Sequence, residues 1–170
     1  MTSESAKPVY LIDAYSDPVA VRIEGRASFL NSACLRDFMS QMIKSGKTRM
    51  VIDFLRCTSM DSTFLGVLAG VALELRKLPQ KGSLVLTRMS PRNLELVHNL
   101  GLHKLVTVDG ARGASSADAC DTPLTSAERG ELDNARLVLE AHENLVTADE
   151  SNRGKFQDVL AFMKNRVERG

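Results

Sequence analysis

The chain has 170 residues, a formal net charge of +1, 44% hydrophobic and 25% charged residues, five per cent aromatics and no Trp. That length suits one ordinary domain with an appendage, and the near-neutral charge gives no electrostatic footprint for nucleic acid. Phe64–Leu73, the longest nearly uncharged apolar stretch, is far shorter than a bilayer span, and residues 1–8 carry no basic-then-apolar leader pattern.

In chain order, Val9–Tyr15 and Val19–Gly25 read as strands. The second alternates Val19, Val21 and Ile23 against Arg22 and Glu24, and Asp17-Pro18 between them is turn chemistry. Leu35, Phe38, Met39, Met42 and Ile43 recur at helical spacing over residues 30–45, with Asn31 or Ser32 as the cap and Gly46 as the stop. Residues 48–55 form a third strand, and Phe64–Leu78 a helix that ends before Pro79. Ser83–Thr87 is a fourth strand. Ser90-Pro91 opens a short helix that Gly101 closes, and Lys104–Val108 is a fifth strand. This order predicts an α/β fold over residues 8–109: a mixed sheet of about five strands with helices packed on it.

Residues 110–124, rich in Gly, Ala, Ser and Asp, read as a linker. Residues 125–170 read as a helical hairpin. Thr125-Ser126-Ala127-Glu128 has a capping-box pattern; Leu132, Ala135, Leu139, His142 and Leu145 share one face, and Phe156, Val159, Leu160, Met163 and Val167 make a second. The second stripe serves equally for packing within the chain or for a homodimer through the C-terminal helices.

The stretch Met60–Gly66 carries the functional expectation. Asp61 and Ser62 stand where a strand ends and a helix begins, and a helix mouth offers unpaired N–H groups and partial positive charge. A serine there is either a plain first-turn residue or a phosphorylation switch. Gly66 and Gly70 lie four apart on one helix face. Each costs about 1 kcal/mol of helix propensity relative to Ala, and close approach of another backbone would offset that cost. The approaching element is a neighbouring helix or a docked partner, whose patch Phe64 and Val67 would extend. Nothing else suggests chemistry. His98, His103 and His142 have no metal-ligand spacing and read as solvent-edge or satisfied helix histidines. Cys34, Cys57 and Cys120 form no CxxC pair and suit a reducing cytoplasm. Asp53 is a candidate acceptor for the loop around Ser62. Arg26 and Arg56 are candidates for the switch surroundings, and Arg88 reads as solvated surface. No nucleotide-binding or hydrolase motif occurs, so no enzyme, cofactor or metal is expected.

Cys57–Gly66, with its Asp61-Ser62-Thr63-x-Leu65-Gly66 core, resembles the STAS domain family, which includes bacterial anti-sigma-factor antagonists. Gly25–Asn31 resembles the loop into that family's first helix, and Asn99–Leu102 the end of its third. The resemblance covers residues 8–109 and implies a signal-transduction protein of the cytoplasm that regulates transcription. By position Ser62 would be the phosphoacceptor, with Thr63 as second choice. Asp61, Ser62, Thr63, Phe64, Gly66, Val67 and Gly70 would form the switch loop and partner surface. The implied partners are a kinase-type anti-sigma factor, bound when Ser62 is unphosphorylated, and a phosphatase, with no nucleic-acid contact and no membrane insertion. The alternative is a cytoplasmic STAS accessory subunit of a membrane transporter.

Overall fold

In a computed structural model, residues 8–110, 117–125 and 127–170 are described. Among these residues six strands form one sheet: β1 (Tyr10–Asp13), β2 (Val19–Ala27), β3 (Arg49–Met60), β4 (Ser83–Thr87), β5 (Thr107–Asp109) and β6 (Thr122–Leu124). Their order is β5-β4-β3-β2-β1-β6. Strands β2 to β5 run parallel, while β1 is antiparallel to both its neighbours. The expected mixed α/β sheet is therefore present, with one strand more than expected. The sixth comes from the tract read as a linker, whose Thr122-Pro123-Leu124 pairs with Tyr10–Ile12. A three-residue strand containing Pro lies below what periodicity detects, and an edge position tolerates the missing N–H. Residues 111–116 and Ser126 lie outside the described residues.

Parallel β2 and β3 are buried over Val19–Val21 and Met50–Phe54, and both runs are nearly continuous apolar stretches. Strand β3 continues to Met60, five residues past the expected end, because its pairing with β2 resumes beyond irregularities at Arg22/Glu24 and Gly25/Arg26. Gly25, at φ 113°, supplies the backbone conformation for the second. Strand β5 starts later than expected, since Leu102–Lys104 forms a 3₁₀ turn after Gly101, whose φ is 73°.

Helices α1 (Ser32–Lys44), α2 (Ser62–Arg76) and α3 (Pro91–Asn99) follow the expected order. Ser90 Oγ accepts from Asn93 N–H at 3.1 Å, with Pro91 in the first turn. Asn31 makes no cap bond to α1. Its Oδ1 accepts instead from the Tyr10 hydroxyl (2.8 Å) and the Ser28 N–H (3.0 Å), and its Nδ2 donates to the Arg26 carbonyl. It thereby folds the loop between β2 and α1.

The C-terminal part contains α4 (Glu131–Ala148), a single turn α5 (Asn152–Lys155) and α6 (Gln157–Arg169). Helix α4 begins six residues after Thr125, with Gly130 at its N-cap and Glu131 and Asp133 in its first turn. It lies across α2 on the side away from the sheet. Its inward residues are Ala135, Leu137, Ala141, His142, Leu145 and Val146. Leu132 and Leu139, expected on this face, are only partly buried, and the buried face turns instead toward Leu137 and Ala141. The break after α4 is held by Asn152, fully buried, whose Nδ2 donates to the carbonyls of Leu100 (2.9 Å) and Leu145 (2.8 Å). Phe156 packs against the main core, while Phe162 on α6 is exposed.

Candidate functional site

The site is built at the mouth of α2. Asp61, extended at φ −110° and ψ 173°, carries the cap: one carboxylate oxygen accepts from the Phe64 N–H at 2.9 Å. The other accepts from the Phe29 N–H at 2.8 Å, tying the loop before α1 to the start of α2. Both oxygens are therefore committed to backbone. Ser62 is left with no capping duty. Its Oγ points out of α2 and lies 2.8 Å from His142 Nε2 on α4.

His142 is 2% exposed. Its Nδ1 lies 2.7 Å from the Val138 carbonyl, and a carbonyl only accepts, so Nδ1 carries the hydrogen. In the neutral ring Nε2 is then the acceptor, and the Ser62 hydroxyl donates to it. Burial pushes the His142 pKa below its ordinary value; the Val138 carbonyl and the Asp61 charge oppose that shift. The edge of the imidazole meets the Phe156 ring at 4.8 Å between centroids. His142 is the residue that sequence reasoning missed. As a helix histidine bonded to its own i−4 carbonyl it fits the expectation, but its second nitrogen reaches across to Ser62. The available signal was its place among Leu132, Ala135, Leu139 and Leu145, on the face that had to be covered.

The other expected residues separate into two groups. Gly66 and Val67 face α4. A Cβ on Gly66 would stand 2.2 Å from the Ala141 carbonyl oxygen and 2.7 Å from its Cβ. Val67 packs with Ala33, Leu137 and Ala141. Gly70 faces Asn144, whose Nδ2 donates to the Gly66 carbonyl at 3.4 Å. Phe64 corrects the expectation of a surface patch. It is 0% exposed and lies in the main core, stacked on Tyr10 at 6.5 Å and edge-on to Phe54 at 6.2 Å. The first turn of α2 points it at the sheet, where an aromatic ring buries most area. Thr63 is also buried, so the two hydroxyls at this mouth differ in access, and Ser62 is the more open. Apolar surface near the mouth comes instead from Phe29 and Leu30, both exposed.

Asp53 does not serve the Ser62 loop. It is wholly buried and takes a two-pronged ion pair from Arg88 (2.8 and 2.6 Å), so Arg88 is not a solvated surface residue. Arg88 sits at φ 55° and also meets Asp118 at 3.2 Å. Arg56 pairs with Glu24 at 3.4 Å, and Arg26 is exposed. Among the described residues no cluster of three or more His, Cys, Asp or Glu is placed to hold a metal ion, and no helix is long and apolar enough to cross a membrane. Burial pushes the Cys57 and Cys120 thiols up to about 11, well away from reactive thiolate behaviour.

Against known proteins, the family model described as "Mlab, STAS domain" matches residues 11–107. The chain belongs to the STAS family. No curated protein sequence matches the chain. Among solved structures, the STAS fold is shared with the anti-sigma factor antagonist SpoIIAA in its unphosphorylated form, at 21% identity and a TM-score of 0.53, covering 64% of this chain and 94% of that one. It is shared also with the Bacillus cell fate determinant SpoIIAA in the phosphorylated form, at 22% identity and a TM-score of 0.51, covering 63% and 96%. The family match stops at residue 107, so α4 to α6 lie beyond it.

Proposed function

We propose that this STAS protein is a phospho-switchable binding module of the cytoplasm, working like an anti-sigma-factor antagonist and carrying no catalytic activity of its own. Ser62 is the phosphoacceptor. Unphosphorylated, the chain binds a kinase-type anti-sigma factor that supplies the ATP site, and a phosphatase resets it. The observation that carries this reading is the division of labour at the α2 mouth. Asp61 caps the helix with one oxygen and holds Phe29 with the other, so the Ser62 hydroxyl does nothing for its own helix.

The physics of the switch follows. A phosphoryl group adds about −1.5 to −2 charges and three acceptor oxygens. At a helix N-terminus the dipole offsets part of that charge, so the STAS core keeps its fold. The Asp61 carboxylate next door adds to the repulsion felt by an acidic or apolar partner surface. Binding is thus altered without melting the domain.

The test is a pull-down from lysate of the source cell with Ser62→Ala and Ser62→Asp baits, alongside mass-spectrometric mapping of phosphate on the native chain. The expected result is phosphate at Ser62 and a kinase-like, ATP-binding protein held by the alanine bait and lost from the aspartate bait. Recovery of the same membrane-transporter components by both baits would replace this reading with that of a transporter accessory subunit.

A further inference from the structure

The face of α2 beside Ser62 is already occupied by a segment of the same chain. Helix α4 sets Ala141 against Gly66, Asn144 against Gly70 and His142 against Ser62, and Leu137 completes the contact with Val67. Arg36 on α1 holds the outer side of α4 through Glu140 at 3.1 Å. The fit is close enough that a single methyl on Gly66 collides with the Ala141 backbone. No second helix can lie there while α4 does.

We infer that α4 is an autoinhibitory occupant of the partner-binding face, and that a partner binds by replacing it with a helix of its own. The inference rests on the switch reading of Ser62 and α2 given above. It also defines the kind of partner. The incoming helix presents what α4 presents: a small residue opposite Gly66, as Ala141 is, because the Ala141 backbone fills the space where a Gly66 side chain would stand. A side chain able to accept from the Ser62 hydroxyl follows directly, as His142 follows Ala141. An amide donor lies two residues further on, where Asn144 reaches the Gly66 carbonyl. In the closed chain the Ser62 hydroxyl is engaged by His142, and lifting α4 releases it.

The test uses the full chain and a fluorescein-labelled synthetic peptide of residues 131–149, the native α4 sequence. Ala141→Trp in the chain drives its own α4 off α2 while leaving the Gly66–Gly70 face intact. Fluorescence anisotropy should show the peptide binding this variant at least about tenfold more tightly than it binds the wild-type chain, because the competent state is then no longer a minor one. A peptide that itself carries Ala141→Trp should not bind. If Ala141→Trp does not fold, judged by loss of amide protection in β3, Asn152→Ala replaces it. Asn152 anchors the end of α4 through Leu100 and Leu145 and does not touch the docking face. Equal binding to the wild type, or refusal of the peptide by a folded variant, overturns the inference. No kinase or phosphate enters this experiment, so its failure leaves the Ser62 switch standing, and failure of the pull-down leaves the α4 result standing.

Discussion

His142 and Ser62 share one hydrogen bond but impose two different sensitivities. The imidazole is buried, and burial holds its pKa below the ordinary value near 6.5. A His depressed in the folded state protonates first when unfolded, so its contribution to stability is complete above the unfolded pKa and falls away as the pH drops through it. Urea midpoints should therefore decline between pH 7.5 and pH 5, and His142→Gln should flatten that part of the profile. Ser62→Ala acts at any pH. It leaves the buried Nε2 without its donor, and urea unfolding at pH 7.5 should report a loss of about 1 kcal/mol. Gly66 and Gly70, so alike in sequence, should separate by experiment. Gly66→Ala puts a methyl into the Ala141 backbone and should cost about 1–3 kcal/mol, seen with faster amide exchange across Glu131–Ala148. Gly70→Ala meets only the end of the flexible Asn144 side chain, and the gain in helix propensity, about 1 kcal/mol, should leave the variant near wild-type stability.

Among the elements, α2 is the one whose sequence says most. Between Thr63 and Leu75 it carries a single charge, Glu74, and ten of its fifteen residues are buried. A helix apolar nearly all round must be covered on both sides, and the sheet covers only one. The need for a second cover was legible in Phe64–Leu78 and in the glycine pair; which helix supplies it was not. Nothing local in Ala141 marks it as the residue that meets Gly66, because that pairing is set by the angle at which α4 crosses α2. The start of α4 was misplaced for a related reason. The pattern Thr125-Ser126-Ala127-Glu128 satisfies the capping rule locally, while the helix begins at Glu131 after Gly130. The mouth of α2 invites one more measurement. Asp61→Ala removes both the cap to Phe64 and the tie to Phe29, and should lower stability by about 1–2 kcal/mol in thermal or urea unfolding.

For the molecule as a whole, the strand and helix order through residue 109 could be read from periodicity and turn residues. The sixth strand and the role of Arg88 could not. Arg88 is one charged residue just past a strand, indistinguishable in sequence from the exposed Arg26. Its importance arises because parallel pairing places Asp53 opposite Thr87, one residue away. Arg88→Met strands the fully buried Asp53 without its cation, and a cost of about 3–5 kcal/mol is expected from urea unfolding, far above that of Arg56→Met on the exposed Glu24 pair.

The short strand β6 has a consequence for anything that displaces α4. It fastens the chain to the edge of the sheet at Leu124, and the stretch from 125 to 130 reaches at most about 20 Å when fully extended. A lifted α4 therefore stays leashed beside its seat, at an effective concentration in the millimolar range. A competing helix must outbid that local supply. If the seat is filled 99 times in 100, a partner with an intrinsic Kd of about 1 μM binds with an apparent Kd of about 100 μM. The leash thus turns a tight interaction into a threshold, crossed only where the partner is abundant or held nearby.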